Sequence, residues 1–246
     1  MGMLLFERED VCAVAKEPGV SMATSARNEN SAQEAIDALL GPERDVLGPL
    51  LLVHRLDLGT SGVVLLARNA SAHRFLTSAF QNRRVRKTYR AIAWGHPRPA
   101  GGIWTNPLGR DRKDGRKMAV RADGKKAITQ YQTLVRLPSV AELRLHPETG
   151  RTHQIRVHLA AHGHPIVGDD LYGGATRWRG VRSRAHRQTL AAVGRPLLHA
   201  ERIEIPDLEI DVTAPLPEDY ERVLARLTPS PAGRDGDKLP DPSFRR

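Results

Sequence analysis

Two short apolar runs, Leu50 to Val53 and Val63 to Ala67, bracket the polar stretch His54-Arg55-Leu56-Asp57-Leu58-Gly59-Thr60-Ser61-Gly62. Runs of this length, ending beside Gly or a helix-capping residue, suit two buried strands. Polar loops positioned by rigid strands are where chemistry tends to sit. This one holds a carboxylate, a guanidinium, an imidazole and two hydroxyls. Asp57 is the only acid between Asp45 and Asp111. In an extended segment Arg55 and Asp57 share a face. A carboxylate beside a guanidinium stays ionised at neutral pH, so it can act as a nucleophile but not as an acid. Local physics alone favours a plainer reading, a surface ion pair in a turn.

The charge distribution narrows the classes of partner. The 246 residues carry a formal net charge of +10. Residues 83–126 hold 14 Lys and Arg against Asp111, Asp114 and Asp123, and residues 175–196 hold six Arg and no acid. The remainder of the chain is therefore net negative. Positive charge gathered into two segments is the footprint of a polyanion-binding face, against the plain alternative of solubilising loops. Gly and Pro interrupt both segments, which argues against a basic amphipathic helix on a membrane. No apolar run approaches a membrane span, and Met1 to Phe6 is too short for a signal peptide. The single cysteine, Cys12, lies in an apolar stretch and reads as a small core residue in a reducing cytosol. A cytoplasmic protein is expected.

Element by element, Asp10 to Lys16 reads as a strand ended by Glu17-Pro18-Gly19. Ser31-x-x-Glu34 is a capping box opening a helix through Leu40, stopped by Gly41-Pro42. Asn69 or Ser71 caps a second helix whose apolar stripe is Ala72, Phe75, Leu76, Ala79 and Phe80. Val85 to Trp94 is a strand with Lys87, Tyr89 and Ala91 on one face and Thr88, Arg90 and Ile92 on the other. Residues 96–125 form a long loop or hairpin. Strands follow at Ala127 to Val135 and Val140 to His146. Thr152 caps a helix ended by Gly163. A strand runs from Leu197 to Ile205, where His199 serves packing and hydrogen bonding, and a helix spans Leu216 to Leu227. Beyond Thr228 the composition is that of a disordered tail, so residues 1–227 form the domain and 228–246 the tail. Strands adjacent in sequence argue for an α+β domain with a largely antiparallel sheet.

His153, His158, His162 and His164 suggest a metal site, but a catalytic zinc needs a third protein ligand on a second element, and none is evident. The start of the helix with Arg151 is better suited to holding a phosphate or carboxylate. No strand–GxGxxG–helix context is present, so no cofactor is expected.

His54-Arg55-Leu56-Asp57-Leu58-Gly59-Thr60-Ser61-Gly62 resembles the signature of the RluA-type pseudouridine synthases. Further blocks match in order: Lys87-Thr88-Tyr89-Arg90-Ala91, Glu148 to His158, Gly168-Asp169-Asp170-Leu171-Tyr172-Gly173 and Leu197-Leu198-His199-Ala200. Lys16-Glu17-Pro18-Gly19 is similar to the family's opening Lys-Pro-Gly block, with Glu17 as a departure. The resemblance covers Glu9 to Leu227. It implies a bent mixed sheet flanked by helices with the active cleft across its middle, and isomerisation of uridine to pseudouridine within ribosomal or transfer RNA. It also implies roles for individual residues. Asp57 is the catalytic carboxylate, Arg156 its partner and Tyr89 a base-stacking aromatic that also handles a proton. Arg55 fills the space left by a flipped nucleotide, and His54, Thr60, Lys87 and Arg151 line the phosphate and cleft side. No cofactor, metal or membrane is involved, and the protein is expected to be a monomer. About nine residues precede the opening block, so the RNA-binding module that often stands there is expected to be absent.

A different class remains open from the residues alone, an RNA-binding or assembly factor on an idle synthase scaffold. A metal hydrolase is a third possibility, which metal analysis of the purified protein separates. RNA binding driven by the two basic segments should fall linearly in log affinity with log salt, with a slope of roughly −0.7 to −0.9 per phosphate contacted. Neutralising Arg112, Lys113, Arg116 and Lys117 together should flatten that slope in a filter-binding series, and an unchanged slope would mean that they form only a solvated surface.

Overall fold

The chain is described by a computed structural model over residues 3–22, 31–41 and 47–228, the side chains of Ser31 and Ala32 excepted. The expected capping by Ser31, the stop at Pro42 and the tail beyond Thr228 lie outside the described residues.

Strand β4 (Ser61–Ala67) is buried at all seven positions, and its sequence shows why. A continuous apolar run belongs to a strand covered on both faces. Val63, Leu65 and Ala67 point into one core with Ala72, Leu76 and Ala79 of helix α2 (Ala70–Gln81). Val64 and Leu66 point into another with Ile36, Leu39 and Leu40 of helix α1 (Ser31–Leu40). Each fully buried Val or Leu contributes about 1.5–3 kcal/mol, so this strand is a principal anchor. Asn69 caps α2, its side-chain oxygen accepting from the Ala72 amide at 2.8 Å. The expected stripe on α2 is narrower than five residues. Phe75 is 44% exposed and lies under the Arg84 guanidinium, 5.2 Å from the ring centre.

Ten strands form one open mixed sheet. From the edge its order runs β1 (Met3–Glu7), β2 (Val11–Lys16), β4, β11 (Leu198–Ile205), β5 (Arg86–Trp94), β10 (Val140–Pro147), β9 (Thr129–Leu137) and β6 (Gly101–Trp104). β12 (Ile210–Thr213) pairs with β11, and β3 (Leu51–Leu52) with the end of β4. Every pairing is antiparallel except β4 with β11. The α+β reading therefore holds. The first of the two bracketing runs does not form the buried strand expected of it. β3 has two residues, and Leu51 is 40% exposed, because it meets only the far end of β4.

Residues 96–125 hold more order than a loop. β6 extends the sheet, and β7 (Leu108–Arg110) pairs with β8 (Met118–Val120) as a separate hairpin carrying the basic residues. A third core packs β5 and β10 against helices α3 (Gln154–Ala161), α4 (Arg184–Ala191) and α5 (Glu218–Leu227). Behind β5, Arg90 donates to Glu142 and Glu201, and the Tyr220 hydroxyl also reaches Glu142.

Gly62 sits where β4 meets β11, with φ +121. A Cβ there would lie 2.2 Å from the Ala200 carbonyl oxygen, so only glycine allows this parallel contact. Gly62→Ala should cost about 3 kcal/mol or more, since it combines backbone strain with a backbone clash. Urea denaturation checks this, and a midpoint equal to wild type would refute it.

Candidate active site

The Asp57 loop runs between β3 and β4 and is held from below by two cations. Lys16, only 1% exposed, donates to the carbonyls of Glu17 and Leu58 at 2.9 and 3.2 Å. Arg195 donates to the Gly59 carbonyl at 3.1 Å while its fork holds Asp219 at 2.6 and 2.7 Å. The Thr60 amide closes a turn onto the Asp57 carbonyl, and the Ser61 hydroxyl bonds His199 Nδ1 at 3.0 Å. Burial pushes the Lys16 ammonium down to about 8, Arg195 adding to the effect and Asp57 opposing it.

The Asp57 carboxylate meets Arg156 rather than Arg55. Arg156, on α3, donates from Nη1 to Asp57 Oδ2 at 3.2 Å. Its Nε and Nη2 fork the fully buried Asp169 at 2.7 and 2.9 Å. Burial works against the guanidinium charge, but Asp169 and Asp57 outweigh it and raise its pKa. Arg156 also lies over the Tyr172 ring at 5.0 Å. Arg55 and Asp57 form no ion pair; Arg55 stands exposed on the rim while the Asp57 carboxylate is bonded by Arg156. Thr152 does not cap α3 either. The capping position is His153, at φ 55 with no side-chain cap bond. The first helical residue, Gln154, instead turns its amide back to the Arg151 N–H, Ile128 and Thr129.

These groups open into a cleft of about 570 Å³ lined in part by His54, Arg55, Thr60, Lys87, Tyr89 and Arg151. Tyr89 and Lys87 come from β5, two residues apart and therefore on one face. Burial, and secondarily the Asp57 charge, raise the Tyr89 pKa, so its hydroxyl keeps its proton at neutral pH. Lys87 donates to the Thr149 carbonyl at 3.3 Å, and burial with Arg83 brings it down to about 8. His54 lines the cleft but carries no charge to it. Its Nε2 accepts from the Leu65 amide at 2.9 Å, its ring stacks on Phe80, and burial lowers it to about 3. Arg151 is turned partly aside, its Nε donating to the Lys126 carbonyl at 3.1 Å. His158 and His162 are engaged at Thr129 and Asn106. Among the described residues no group of three or more His, Cys, Asp or Glu is placed to hold a metal.

Three contributors were not singled out from sequence. Asp169 anchors Arg156, and Lys16 and Arg195 hold the loop. Lys16 and Asp169 lie in motifs that the sequence marks, but no local pattern says that either is buried.

A carboxylate paired with a guanidinium in an open, cation-rimmed cleft beside an aromatic residue suits an enzyme acting on a polyanionic substrate. Residues 10–161 match the profile of the RNA pseudouridylate synthase family. An uncharacterized RNA pseudouridine synthase of Chlorobaculum parvum is 38% identical over 242 residues, covering 91% of this chain and 73% of that protein. Ribosomal large subunit pseudouridine synthase D of Escherichia coli K12 is 36% identical over 229 residues, covering 90% of this chain and 69% of its own. The human RNA pseudouridylate synthase domain containing 4 structure superimposes with a TM-score of 0.71 at 27% identity, covering 92% of each chain. The chain belongs to the RNA pseudouridylate synthase family and is an RNA pseudouridine synthase, an isomerase.

Asp169→Asn keeps the shape of the anchor and removes its charge, leaving the Arg156 guanidinium paired with Asp57 alone. Breaking one side of a buried pair should cost roughly 3–5 kcal/mol, measured by urea denaturation. A loss below about 1 kcal/mol would show that the fork does not hold the guanidinium.

Proposed function

We propose that this chain converts uridine to pseudouridine in large-subunit ribosomal RNA, with Asp57 as the reacting carboxylate, Arg156 as its partner and Tyr89 as the surface for the detached base. The observation that carries this reading is the 3.2 Å pair of Asp57 and Arg156 in the same cleft as Tyr89. The ribosomal substrate is suggested by relatives named as ribosomal large subunit pseudouridine synthases.

The reaction needs the N1–C1′ bond to break, the uracil to turn over, and C5 to bond to C1′. Asp57 either attacks C1′ or takes a proton from the ribose, and both tasks need its negative charge. Arg156 donates to the carboxylate and fixes its direction. When the glycosidic bond breaks, its electron pair stays with the uracil; after C5 joins C1′, the C5 proton leaves and N1 gains one. No group is donated from outside. Tyr89 is a protonated phenol at neutral pH, so it serves as a stacking surface and hydrogen-bond partner and not as a resident base.

A paired uridine is hidden in its stack and must be flipped out to reach the carboxylate. Arg55, exposed at the rim, is suited to fill the gap. Lys87, Arg83 and Arg151 line the cleft where the backbone phosphates would run. The β7–β8 hairpin with Arg112, Lys113 and Arg116 supplies further positive charge. An idle binding factor has no need of a carboxylate, a guanidinium and an aromatic gathered in one cleft. The protein is further proposed to act as a cytoplasmic monomer without metal or cofactor. The buried Cys12, its thiol pushed up to about 11 by burial, suits a reducing compartment.

Asp57→Asn is nearly isosteric and removes the charge. Pseudouridine formation in total RNA should fall by far more than the roughly 10²–10⁴-fold typical of losing acid–base assistance, while filter binding persists, because Lys and Arg contacts to phosphate carry most of the affinity. A folded variant that works at near wild-type rate would refute the assignment.

A further inference from the structure

Both groups that approach the Asp57 carboxylate do so at the same oxygen. Arg156 Nη1 lies 3.2 Å from Oδ2, and His153 Nε2 lies 3.8 Å from it. Among the described residues, Oδ1 has no hydrogen-bond partner. His153 is in turn tied on its other side. Its Nδ1 lies 2.8 Å from the Tyr172 hydroxyl, and that hydroxyl accepts the Met118 amide of β8 at 2.9 Å.

We propose that His153 is a positioning residue whose tautomer is set by Tyr172, and that its Nε2–H, with Arg156, holds Oδ2 so that Oδ1 is the oxygen presented to the ribose. The inference rests on Asp57 being the reacting carboxylate.

A tyrosine hydroxyl carries one proton and can accept as well as donate. Since the Met118 N–H already occupies its acceptor side, the Tyr172 proton is available to His153 Nδ1. Nδ1 then acts as acceptor, and in a neutral imidazole the remaining proton must sit on Nε2, facing Asp57. The opposite tautomer would aim a lone pair at a carboxylate and leave the Tyr172 proton without an acceptor. Burial lowers the ring's pKa and so favours the neutral form. Asp57 opposes this, Arg156 adds to it, and Asp169 and Arg55 act more weakly in opposite senses. The backbone also points to a placed side chain. His153 is a non-glycine residue in the left-handed region at φ 55, a conformation with a real cost that tends to be retained where geometry matters. At 3.8 Å the contact with Oδ2 is longer than a hydrogen bond; catalytic hydrogen bonds are often long without substrate and tighten with it.

Tyr172→Phe keeps the ring under Arg156 and removes the only group that sets the tautomer. Above the His153 pKa the ring can then turn a bare Nε2 toward Asp57. Below it the imidazolium carries a proton on Nε2 whatever Tyr172 does. Single-turnover pseudouridine formation should be measured with total RNA from cells deleted for this gene, at pH values on both sides of the His153 pKa as read by NMR titration of the wild-type ring. The Tyr172→Phe rate should be about tenfold below wild type above that pKa and within about twofold of it below, with half-saturating RNA within threefold throughout. His153→Gln, which keeps an amide N–H near the Nε2 position, should lose less than His153→Ala and show a ratio to wild type that does not change with pH. A Tyr172→Phe protein at wild-type rate, or with the same deficit at every pH, overturns the proposal. If Tyr172→Phe fails to fold, equal losses in His153→Gln and His153→Ala overturn it, and a clear rescue by Gln supports it. An active Asp57→Asn protein would instead remove the catalytic reading beneath it. An inactive Asp57→Asn with a pH-independent Tyr172→Phe deficit removes this inference alone.

Discussion

Arg156 is the interaction on which the site depends. One guanidinium forks Asp169 with two N–H groups and gives a third to Asp57. Taking such charges out of water costs several kcal/mol per ion unless partners replace the lost hydration, and this geometry supplies them. Asp169 is itself fixed by the turn that follows Gly168, where a Cβ would meet the Arg195 carbonyl oxygen at 2.0 Å. The direction of the Asp57 carboxylate is thus inherited from a helix, a glycine turn and a loop that are far apart in sequence. Coulomb attraction alone would leave that direction soft; the planar fork makes it definite.

Around this pair, desolvation governs the other ionisable groups. Lys16 and Lys87 are both lowered to about 8 by burial, and His54 to about 3. The cations nearest the loop donate to the carbonyls of Leu58 and Thr149, while Arg55, Arg112 and Arg116 stand exposed at the surface, the last two beside Asp123 and Asp114. The same residue types divide between holding the loop and standing in solvent, and burial decides which.

Much of this was legible in the sequence, for reasons that differ by residue. The run Val63 to Ala67 announced a doubly covered strand because burial on both faces demands unbroken apolar character. Lys87 and Tyr89 were placed on one face by the two-residue period of a strand. Asp57 stood out through its acid-free surroundings and the motif around it. What stayed hidden was non-local. Nothing near Asp57 says that its partner comes from residue 156 and not from 55; only the family resemblance pointed to Arg156. Nothing near Lys16 says that it is buried, and a left-handed His153 in place of a capping Thr152 follows from the packing of Gln154 against the sheet. His54 was expected from the resemblance to line the phosphate and cleft side; nothing in the sequence says that its lone pair is taken by a strand amide.

The single parallel pairing, β4 with β11, has a consequence in time. Ser61 and His199 are 138 residues apart, and strands so distant pair late because a long loop must close first. Asp57 leads directly into β4, whereas Arg156 and Asp169 precede β11, and Arg195 grips the loop from the residues just before β11. A growing chain that has emerged only through the strand after Asp57 holds the carboxylate without its cation, its anchor or its brace. The segment bearing Asp57 is made first, and its surroundings become organised only after the rest of the sheet has closed upon it.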